Sequence, residues 1–227
     1  MEDQFKKMAG LIGEPVRAAI MWALLDGKAL TATELTIVTG TTAPNLSMHI
    51  ARLVQADLLS VETQGRHRYY KFSRKEIAYA IEAMANLIPP GSTTTISTND
   101  NNSAIRNCRT CYDHLAGKVG VALTDSLLRE GIITENGKTF ELTPKGGTVF
   151  SDLGMNIDEI KKKRRSFLRP CLDWSERRYH IAGALAAALL EHMIASDWIR
   201  RQKNSRAITI TSKGQREFYR YFKLNTE

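Results

Sequence analysis

No hydrophobic run in this sequence is long enough to cross a bilayer. The most apolar stretch, Ile181 to Leu190, is closed by Glu191 and His192, well short of the roughly 20 residues a spanning helix needs, so no membrane partner is expected. Nor is there a leader with base followed by an apolar segment: Met1-Glu2-Asp3 carries acid, and the expected compartment is the cytoplasm. Cysteine is scarce, at 3 residues. Three thiols cannot all pair within one chain, which excludes a disulfide-stapled scaffold and leaves them as candidate ligands or sensors in a reducing compartment. Motifs of catalysis are missing too. No glycine-rich phosphate loop, nucleophile elbow or metalloprotease signature accompanies the one arguable thiolate pair, Cys111 with His114 or His180, and an enzyme is not expected.

What is present is an ordinary globular composition, 43% hydrophobic and 25% charged over 227 residues, which excludes wholesale disorder and a collagen or coiled-coil class. The formal net charge is +8, a balance that favours polyanionic partners. Residues 1–90 hold 10 basic and 9 acidic side chains, leaving 22 and 15 for the rest, so the second half carries almost all the basicity.

The stretch between Ile88 and Ile105 is rich in Pro, Gly, Ser, Thr and Asn and has almost nothing to bury, which reads as a flexible linker over 89–104. It separates an expected domain at 1–88 from another at 105–227. In the first, Val16, Ile20, Ala23 and Leu24 recur at helical spacing behind Pro15, and Asp26-Gly27 ends that helix. Thr31-Ala32-Thr33-Glu34 is a capping box opening a short helix to about Thr39. Gly40 supplies a turn, Thr42 can cap the next helix, and Pro44 falls in its first turn. Leu46, Ile50 and Leu53 line the inner face of this helix. At about 100° per residue, Pro44, Met48, Ala51, Arg52 and Gln55 point outward, flanked by Asn45 and Ser47. The alternation Leu59, Val61, Thr63, the turn Gln64-Gly65 and the run Arg66 to Phe72 predict a β-hairpin with a basic, aromatic tip. A last helix from about Glu76 carries Ile77, Ile81, Met84 and Ile88, an apolar stripe wider than so small a domain needs, which a helix-paired dimer would cover.

A short helix, a turn, a helix with a polar outer face and a basic hairpin make a winged helix-turn-helix, whose second helix enters the major groove. The segment Gly40 to Leu59 resembles the recognition segment of the ArsR/SmtB family of bacterial transcriptional regulators. Ser47, His49, Leu53, Ala56 and Leu58 fall on family positions, as do Gly65-Arg66 and Tyr69-Tyr70 in the wing, and Leu11-Ile12-Gly13-Glu14-Pro15-Val16-Arg17 looks like the family's first-helix motif. The resemblance covers about residues 9 to 88. It implies double-stranded operator DNA as partner, a homodimer joined through the first and last helices, with Leu11, Ile77, Ile81, Met84 and Ile88 as dimer residues, and repression relieved by an effector. Met48 replaces a frequent Arg and Asp57 the usual Gly, so no operator sequence carries over. The family's Cys-x-Cys metal site is absent, because Glu34 to Val38 contains no cysteine.

Within this arrangement Thr41, Thr42, Asn45 and Ser47 are the candidate base or phosphate contacts at the helix N-terminus, with Met48 for a thymine methyl and Arg52 for a phosphate. Arg66, His67 and Arg68 are expected on the backbone or in the minor groove. His49 reads as a packed histidine, and Tyr70 and Phe72 as core. A protein-binding adaptor is the competing class, with no DNA affinity.

The second half contains an internal similarity. His114-Leu-Ala-Gly and His180-Ile-Ala-Gly open segments with matching apolar positions, each leading to a strand ending in Leu/Ile-Thr-x-x-Gly at Leu142 to Gly146 and Ile210 to Gly214. Two winged-helix-like copies, about 111–150 and 171–220, are expected to pack their Ala- and Gly-rich helices together, joined by a helix from Met155 to Arg169 bearing Lys161 to Arg165. The fold class is thus mainly α with small β-hairpin wings, an N-terminal winged helix-turn-helix plus a helical C-terminal domain of two winged-helix-like repeats. Cys-x-Asp precedes or meets each copy, as Cys111-Tyr112-Asp113-His114 and as Cys171-Leu172-Asp173 with His180 beyond. With Cys108 these form the candidate sensor group: Cys108, Cys111 and Cys171 as thiolates for a metal, arsenite or redox signal, Asp113, His114, Asp173 and His180 beside them. The alternatives are cysteines buried as small hydrophobes, or a small organic effector held by Tyr112, Trp174, Tyr179 and Trp198 with Arg177 or Arg178.

Overall fold

Glu14 and Pro15 set the start of the helix that organises the N-terminal half. The Glu14 side chain accepts from Arg17 N, and Pro15 occupies the first helical turn, where its missing N–H costs nothing. The computed structural model describes residues 1–88, 104–137, 139–203 and 205–226, which divide into units Met1–Ala85 and Asn86–Glu227.

In the first unit α1 (Glu2–Ile12) precedes α2 (Pro15–Ala23), and the chain leaves α2 through a single 3-10 turn that stops at Gly27. Strand β1 (Leu30–Thr31) leads into α3 (Ala32–Thr39), where both halves of the Thr31/Glu34 capping box form. Helix α4 (Ala43–Gln55) follows with Thr42 at its N-cap and Pro44 in its first turn, although the Thr42 hydroxyl makes no capping bond. Strands β2 (Leu59–Gln64) and β3 (His67–Phe72) pair antiparallel from Leu59↔Phe72 to Gln64↔His67, with β1 against the far edge of β3. Helix α5 (Lys75–Ala85) closes the unit. The core joins Ile20, Met21, Leu24, Leu35, Leu46, Ile50, Leu53, Leu58, Ile77 and Ile81.

Two expectations change here. Helix α1, which the sequence pattern did not delimit, has no fully buried residue and rests Met8, Leu11 and Ile12 half-buried against the core. The stripe on α5 is not spare surface: Ile77 and Ile81 are 5% and 7% exposed and belong to the unit's own core, whereas Met84 is 46% exposed. Ile88, also half exposed, falls with Asn86 in the second unit, where Asn86 Nδ2 donates to Leu172 O at 3.0 Å. The unit boundary is thus three residues earlier than expected. Of the anticipated linker, residues 89–103 lie outside the described residues, and Ala104 already begins α6 (Ala104–Asn107).

The second unit continues with the hairpin β4 (Arg109–Cys111) and β5 (His114–Ala116), helix α7 (Gly117–Arg129), the hairpin β6 (Ile133–Asn136) and β7 (Thr139–Leu142), and α8 (Pro144–Asp152). After α9 (Ile157–Lys161) the same order recurs: hairpin β8 (Arg169–Leu172) and β9 (Tyr179–Ala182), helix α10 (Ala184–Ala195), hairpin β10 (Ile199–Arg201) and β11 (Ile208–Ile210), and α11 (Ser212–Phe222). The leading hairpins β4–β5 and β8–β9 are too short for alternation to reveal. The expected helix from Met155 to Arg169 is not there. It stops at Lys161, and Lys162 to Arg165 form turns, because like charges at helical spacing repel and Pro170 holds Arg169 extended.

The corresponding joints are built alike. Helices α7 and α10 end in a left-handed residue, Gly131 at φ +64° and Asp197 at φ +58°. The next residue donates back into the last turn, Ile132 N to Leu127 O and Trp198 N to Met193 O, both at 2.8 Å, a Schellman closure. Helix α4 ends the same way with Asp57 at φ +55° and Leu58 N to Leu53 O at 2.9 Å. The spacing Thr-x-x-Gly also has a physical cause. Thr143 and Thr211 cap α8 and α11 by accepting from Gly146 N and Gly214 N. A Cβ on either glycine would stand 2.1 Å from Ile132 O or 1.9 Å from Trp198 O, so each helix backs directly onto a carbonyl. Helix α7 packs on β9, α10 on β5, and β5 on β9. Helix α7 therefore leans mainly on the other half's leading hairpin, and α10 on the other half's β5 and on α9 alike, where packing of the two helices together was expected.

Candidate nucleic-acid interface

Helix α4 is amphipathic in the sense a reading helix requires. Leu46, His49, Ile50 and Leu53 are buried, while Thr42, Pro44, Ser47, Met48, Ala51, Arg52 and Gln55 are exposed. Thr41 and Asn45 are half-buried at its N-terminus, and the Asn45 amide donates to the Thr41 hydroxyl at 2.8 Å, which turns the Asn45 carbonyl oxygen away from Thr41. At the tip of β2–β3 the backbone turns through Gly65 at φ +60°, and Arg66, His67 and Arg68 are all exposed. Tyr70 is buried and Phe72 packs against the core. The cross-strand pair Lys71–Glu62, at 2.6 Å, keeps part of the hairpin's charge internally matched.

What holds α4 in place is a polar knot that the first-helix motif carries and that sequence reasoning left without a role. Arg17 is 5% exposed. Its guanidinium donates to Leu11 O at 2.5 Å and Gly10 O at 3.0 Å, the carbonyl end of α1, and meets His49 Nδ1 at 3.2 Å. The Glu14 carboxylate accepts from Arg17 N and lies 3.1 Å from His49 Nδ1. Desolvation would raise the Glu14 pKa, but the N–H groups of Arg17 and Val16 and the charges of His49 and Arg17 outweigh it and hold the carboxyl below its ordinary value. Acid, proline and arginine at that spacing thus cap α2, cover the last carbonyls of α1 and fix the buried histidine of α4. His49 is a positioning group on the inner face.

Asp57 stands where a left-handed backbone would favour glycine. Its carboxylate pairs with Arg74, and its carbonyl accepts from the Ser73 hydroxyl and from Arg74 Nη1 at 3.1 Å. These bonds compensate the strained joint between α4 and the wing.

In the second unit the structure brings part of the candidate sensor group together. Cys111, His114, Cys171 and His180 present one ligand atom each within 4.8 Å of one another. Cys108 is not among them. It is fully buried in the apolar core, and burial pushes its thiol up to about 12. Asp113 and Asp173 stand behind the histidines: His114 Nδ1 lies 3.3 Å from Asp113 Oδ1, and His180 Nδ1 lies 3.2 Å from Asp173 Oδ2. Asp113 is also gripped by Arg165. The bond from His114 and the Arg165 charge hold its carboxyl well below the carboxylate range.

The aromatic residues offered as walls for an organic effector do not converge. Tyr112 and Tyr179 are exposed, and Trp198 is core, stacked on Tyr221 and edge-on to Phe218 and Phe222. Trp174 lies under the Arg109 guanidinium at 4.9 Å. Arg178 pairs with Asp125 at 2.7 Å, and Arg177 donates to Ile88 O. Among the described residues no helix is long and apolar enough to cross a membrane.

Residues 12–62 match a helix-turn-helix domain family. Over 224 residues, 99% of each chain, the sequence is 38% identical to the uncharacterized HTH-type transcriptional regulator YdfF of Bacillus subtilis (strain 168). Solved structures similar to part of the chain include HlyU from Vibrio cholerae N16961, 26% identical, covering 38% of this chain and 97% of that one at a TM-score of 0.35. A predicted DNA-binding transcriptional regulator from E. coli is 23% identical, covering 38% and 92% at a TM-score of 0.36. By its helix-turn-helix and its end-to-end relationship to such a regulator, the chain belongs to the HTH-type transcriptional regulators, DNA-binding proteins that control transcription.

Proposed function

We propose that the protein is a homodimeric repressor of the ArsR/SmtB type that seats α4 in the major groove of an operator and lays the β2–β3 wing against the backbone. The observation that carries the reading is the exposed face of α4, with Ser47, Met48, Arg52 and Gln55 over a fully buried inner face, next to the exposed Arg66-His67-Arg68 tip. Thr41, Thr42 and Asn45 meet base edges or phosphates at the helix start. Dimerisation runs through α1 and α5, where Phe5 and Met84 are large apolar residues left 72% and 46% exposed. Ile77 and Ile81 act inside the protomer, and Leu11 is half-buried under the same surface. The second unit consists of two related winged-helix copies, a reading supported by the recurrent order of elements and by the equivalent caps and left-handed joints. It receives the effector that releases the operator. Its helices α7 and α10 correspond to α4 but are largely buried, so the groove is read by the first unit.

Fluorescence anisotropy of the full chain on duplex from its own upstream region and on scrambled duplex, at two salt concentrations, tests this. A preference on the order of 10³-fold for the native fragment is expected. Arg66→Ala with Arg68→Ala should make the salt dependence shallower by about 0.9 for each phosphate that the protein no longer neutralises. Equal affinity for both duplexes, or an unchanged salt slope, overturns the assignment.

A further inference from the structure

The strongest unassigned chemistry in the molecule is the group Cys111, His114, Cys171 and His180. Cys111 sits directly opposite His114 across β4–β5, and Cys171 directly opposite His180 across β8–β9. Each leading hairpin therefore contributes one cross-strand Cys/His pair, and the packing of β5 on β9 brings the two pairs face to face. One ligand atom from each of the four side chains lies within 4.8 Å of the others.

The orientation of the imidazoles is informative. His114 Nε2 and His180 Nε2 are 3.1 Å apart, both rings being almost wholly buried. Each Nδ1 faces a carboxylate, Asp113 or Asp173. A proton on each Nδ1, where the negative charge is, leaves both Nε2 atoms with lone pairs directed at one another. Two lone pairs at that separation repel until a proton or a metal ion stands between them, and a metal ion there is also within reach of both thiols. A carboxylate behind each imidazole is also the arrangement that orients metal-bound histidines and strengthens them as ligands.

We propose that these four side chains form a tetrahedral Cys2His2 site for a borderline-soft divalent cation, zinc in the first instance, that ties the two halves of the second unit together. With bonds of about 2.3 Å to sulfur and about 2.0–2.1 Å to nitrogen, neighbouring ligand atoms in such a site are about 3.3–3.8 Å apart; the present group lies within 4.8 Å, so its widest separations close by up to about 1 Å on binding while the two Nε2 atoms, 3.1 Å apart, open slightly. Equal numbers of thiolate and imidazole donors select zinc over magnesium or calcium, which take oxygen. On binding, Cys111 and Cys171 lose their protons to solvent and both histidines bind as neutral ligands. One dication with two thiolates is neutral overall, which suits a largely buried place, and two protons are released per metal. All four positions come from the protein, so the ion holds structure and offers no open position for chemistry. Asp113 and Asp173 are positioning residues. Arg165 steadies the first, and Arg109 with the Gly117, Ser175 and Glu176 N–H groups steadies the second. The site belongs to the second unit alone and stands whether or not the DNA reading holds.

The test uses the full chain, stripped of metal and titrated with Co2+ and then Zn2+. Expected are one Co2+ per chain, the intense visible bands of a tetrahedral ion with a near-ultraviolet thiolate charge-transfer band, displacement by Zn2+, and two protons released. X-ray absorption of the zinc form should give two sulfur and two nitrogen neighbours. Cys171→Ser should weaken the charge-transfer band and Cys108→Ala should leave the spectrum unchanged, while Asp113→Asn should cut affinity about 10–100-fold with the same ligand shell. Failure to bind Co2+ stoichiometrically, a weak octahedral spectrum, or a three-sulfur shell that needs Cys108 overturns the proposal. So does a thiolate charge-transfer band left at full intensity by Cys171→Ser. The absorption experiment on unaltered protein decides the ligand set even if a variant fails to fold.

Discussion

Asp173 is the most heavily used side chain in the second unit, and replacing it with Asn in metal-free protein measures what it holds. Oδ1 accepts from Arg109 Nη2 at 2.9 Å, Ser175 N at 2.9 Å, Ser175 Oγ at 2.8 Å and Glu176 N at 3.1 Å, while Oδ2 accepts from Gly117 N at 2.7 Å. Asp173 and its partner Arg109 are both fully buried. Burial by itself would raise the Asp173 pKa, but His180, Arg109 and the Gly117 N–H outweigh it and keep the carboxyl ionised far below the usual range. The Asn amide fits the same space and can keep Oδ1 as acceptor, but its NH2 then confronts the Gly117 N–H, and flipping it confronts four donors in place of one. Either way the buried Arg109 cation loses the carboxylate charge of Asp173, which costs about 3–5 kcal/mol. An unsatisfied Gly117 N–H alone is worth about 1–3 kcal/mol, overlapping that figure and not adding to it. With a urea dependence of about 2 kcal/mol per molar, the second unit's midpoint should fall by about 2 M.

The assay is urea unfolding followed by tryptophan fluorescence in a Trp22→Phe background. The two remaining indoles, Trp174 and Trp198, both lie in the second unit. Asp113→Asn is the internal control: its carboxylate is 32% exposed and so is much of Arg165, so losing that pair should cost no more than about 1 kcal/mol. A midpoint for Asp173→Asn within about 0.5 M of the parent, or equal losses from the two aspartates, would refute the claim that a buried ion pair anchors this unit.

Gly146→Ala should destabilise the same unit by about 1–3 kcal/mol, because its Cβ would lie 2.1 Å from Ile132 O. The adjacent Gly147→Ala, with nothing within 4 Å, should instead gain about 0.5–1 kcal/mol, and the same urea titration separates the two. In the first unit, the depressed Glu14 pKa makes its contribution complete above the unfolded value of about 4.3 and lost as pH falls through the lower folded value. Glu14→Gln should therefore flatten the acid limb of that unit's stability profile, read by thermal melts between about pH 3 and 7, and an unaltered limb would mean the carboxylate is idle. Arg17→Met keeps bulk but leaves Leu11 O and Gly10 O without their donor. It should weaken operator binding and lower the melting temperature together, whereas loss of binding at full stability would point to a direct DNA contact.

Sequence pattern was enough for the helix-turn-helix and its wing because their signals are local. Thr31 and Glu34 close their capping box within three residues, Gly40 and Gly65 mark turns, and Leu46, Ile50 and Leu53 follow the helical period. The membership of the apolar stripe was not local. Whether Ile77 and Ile81 face a partner chain or their own core depends on where α2 and α4 lie, and the core claims both. In the second unit the paired Cys and His residues were visible, but which of three thiols they recruit was decided by strand register. Cys111 and Cys171 stand opposite histidines, while Cys108, only three residues before Cys111, ends a helical turn and points into the core. A spacing of Cys-x-x-Cys suggested a pair that the fold takes apart.

Three helix-to-hairpin joints share one design. At α4, α7 and α10 the chain leaves the helix through a left-handed residue and enters a strand, and a hydroxyl at the start of the following helix, from Ser73, Thr143 or Thr211, accounts for the carbonyl of the left-handed residue. Reading DNA requires in addition that the helix keep one face polar and free. Helix α4 does, because hydrogen-bonded Arg17 and His49 let its inner face close without using the outer one. Helix α10 cannot: Ala184, Leu185, Ala186, Ala187, Leu189, Leu190 and Met193 bury it nearly all round. A joint of one design thus has two uses, decided by side-chain polarity. In α4 it aims a helix outward at a ligand, and in α7 and α10 it turns the helices inward, where two hairpins meet and their Cys/His pairs come within reach of a single ion.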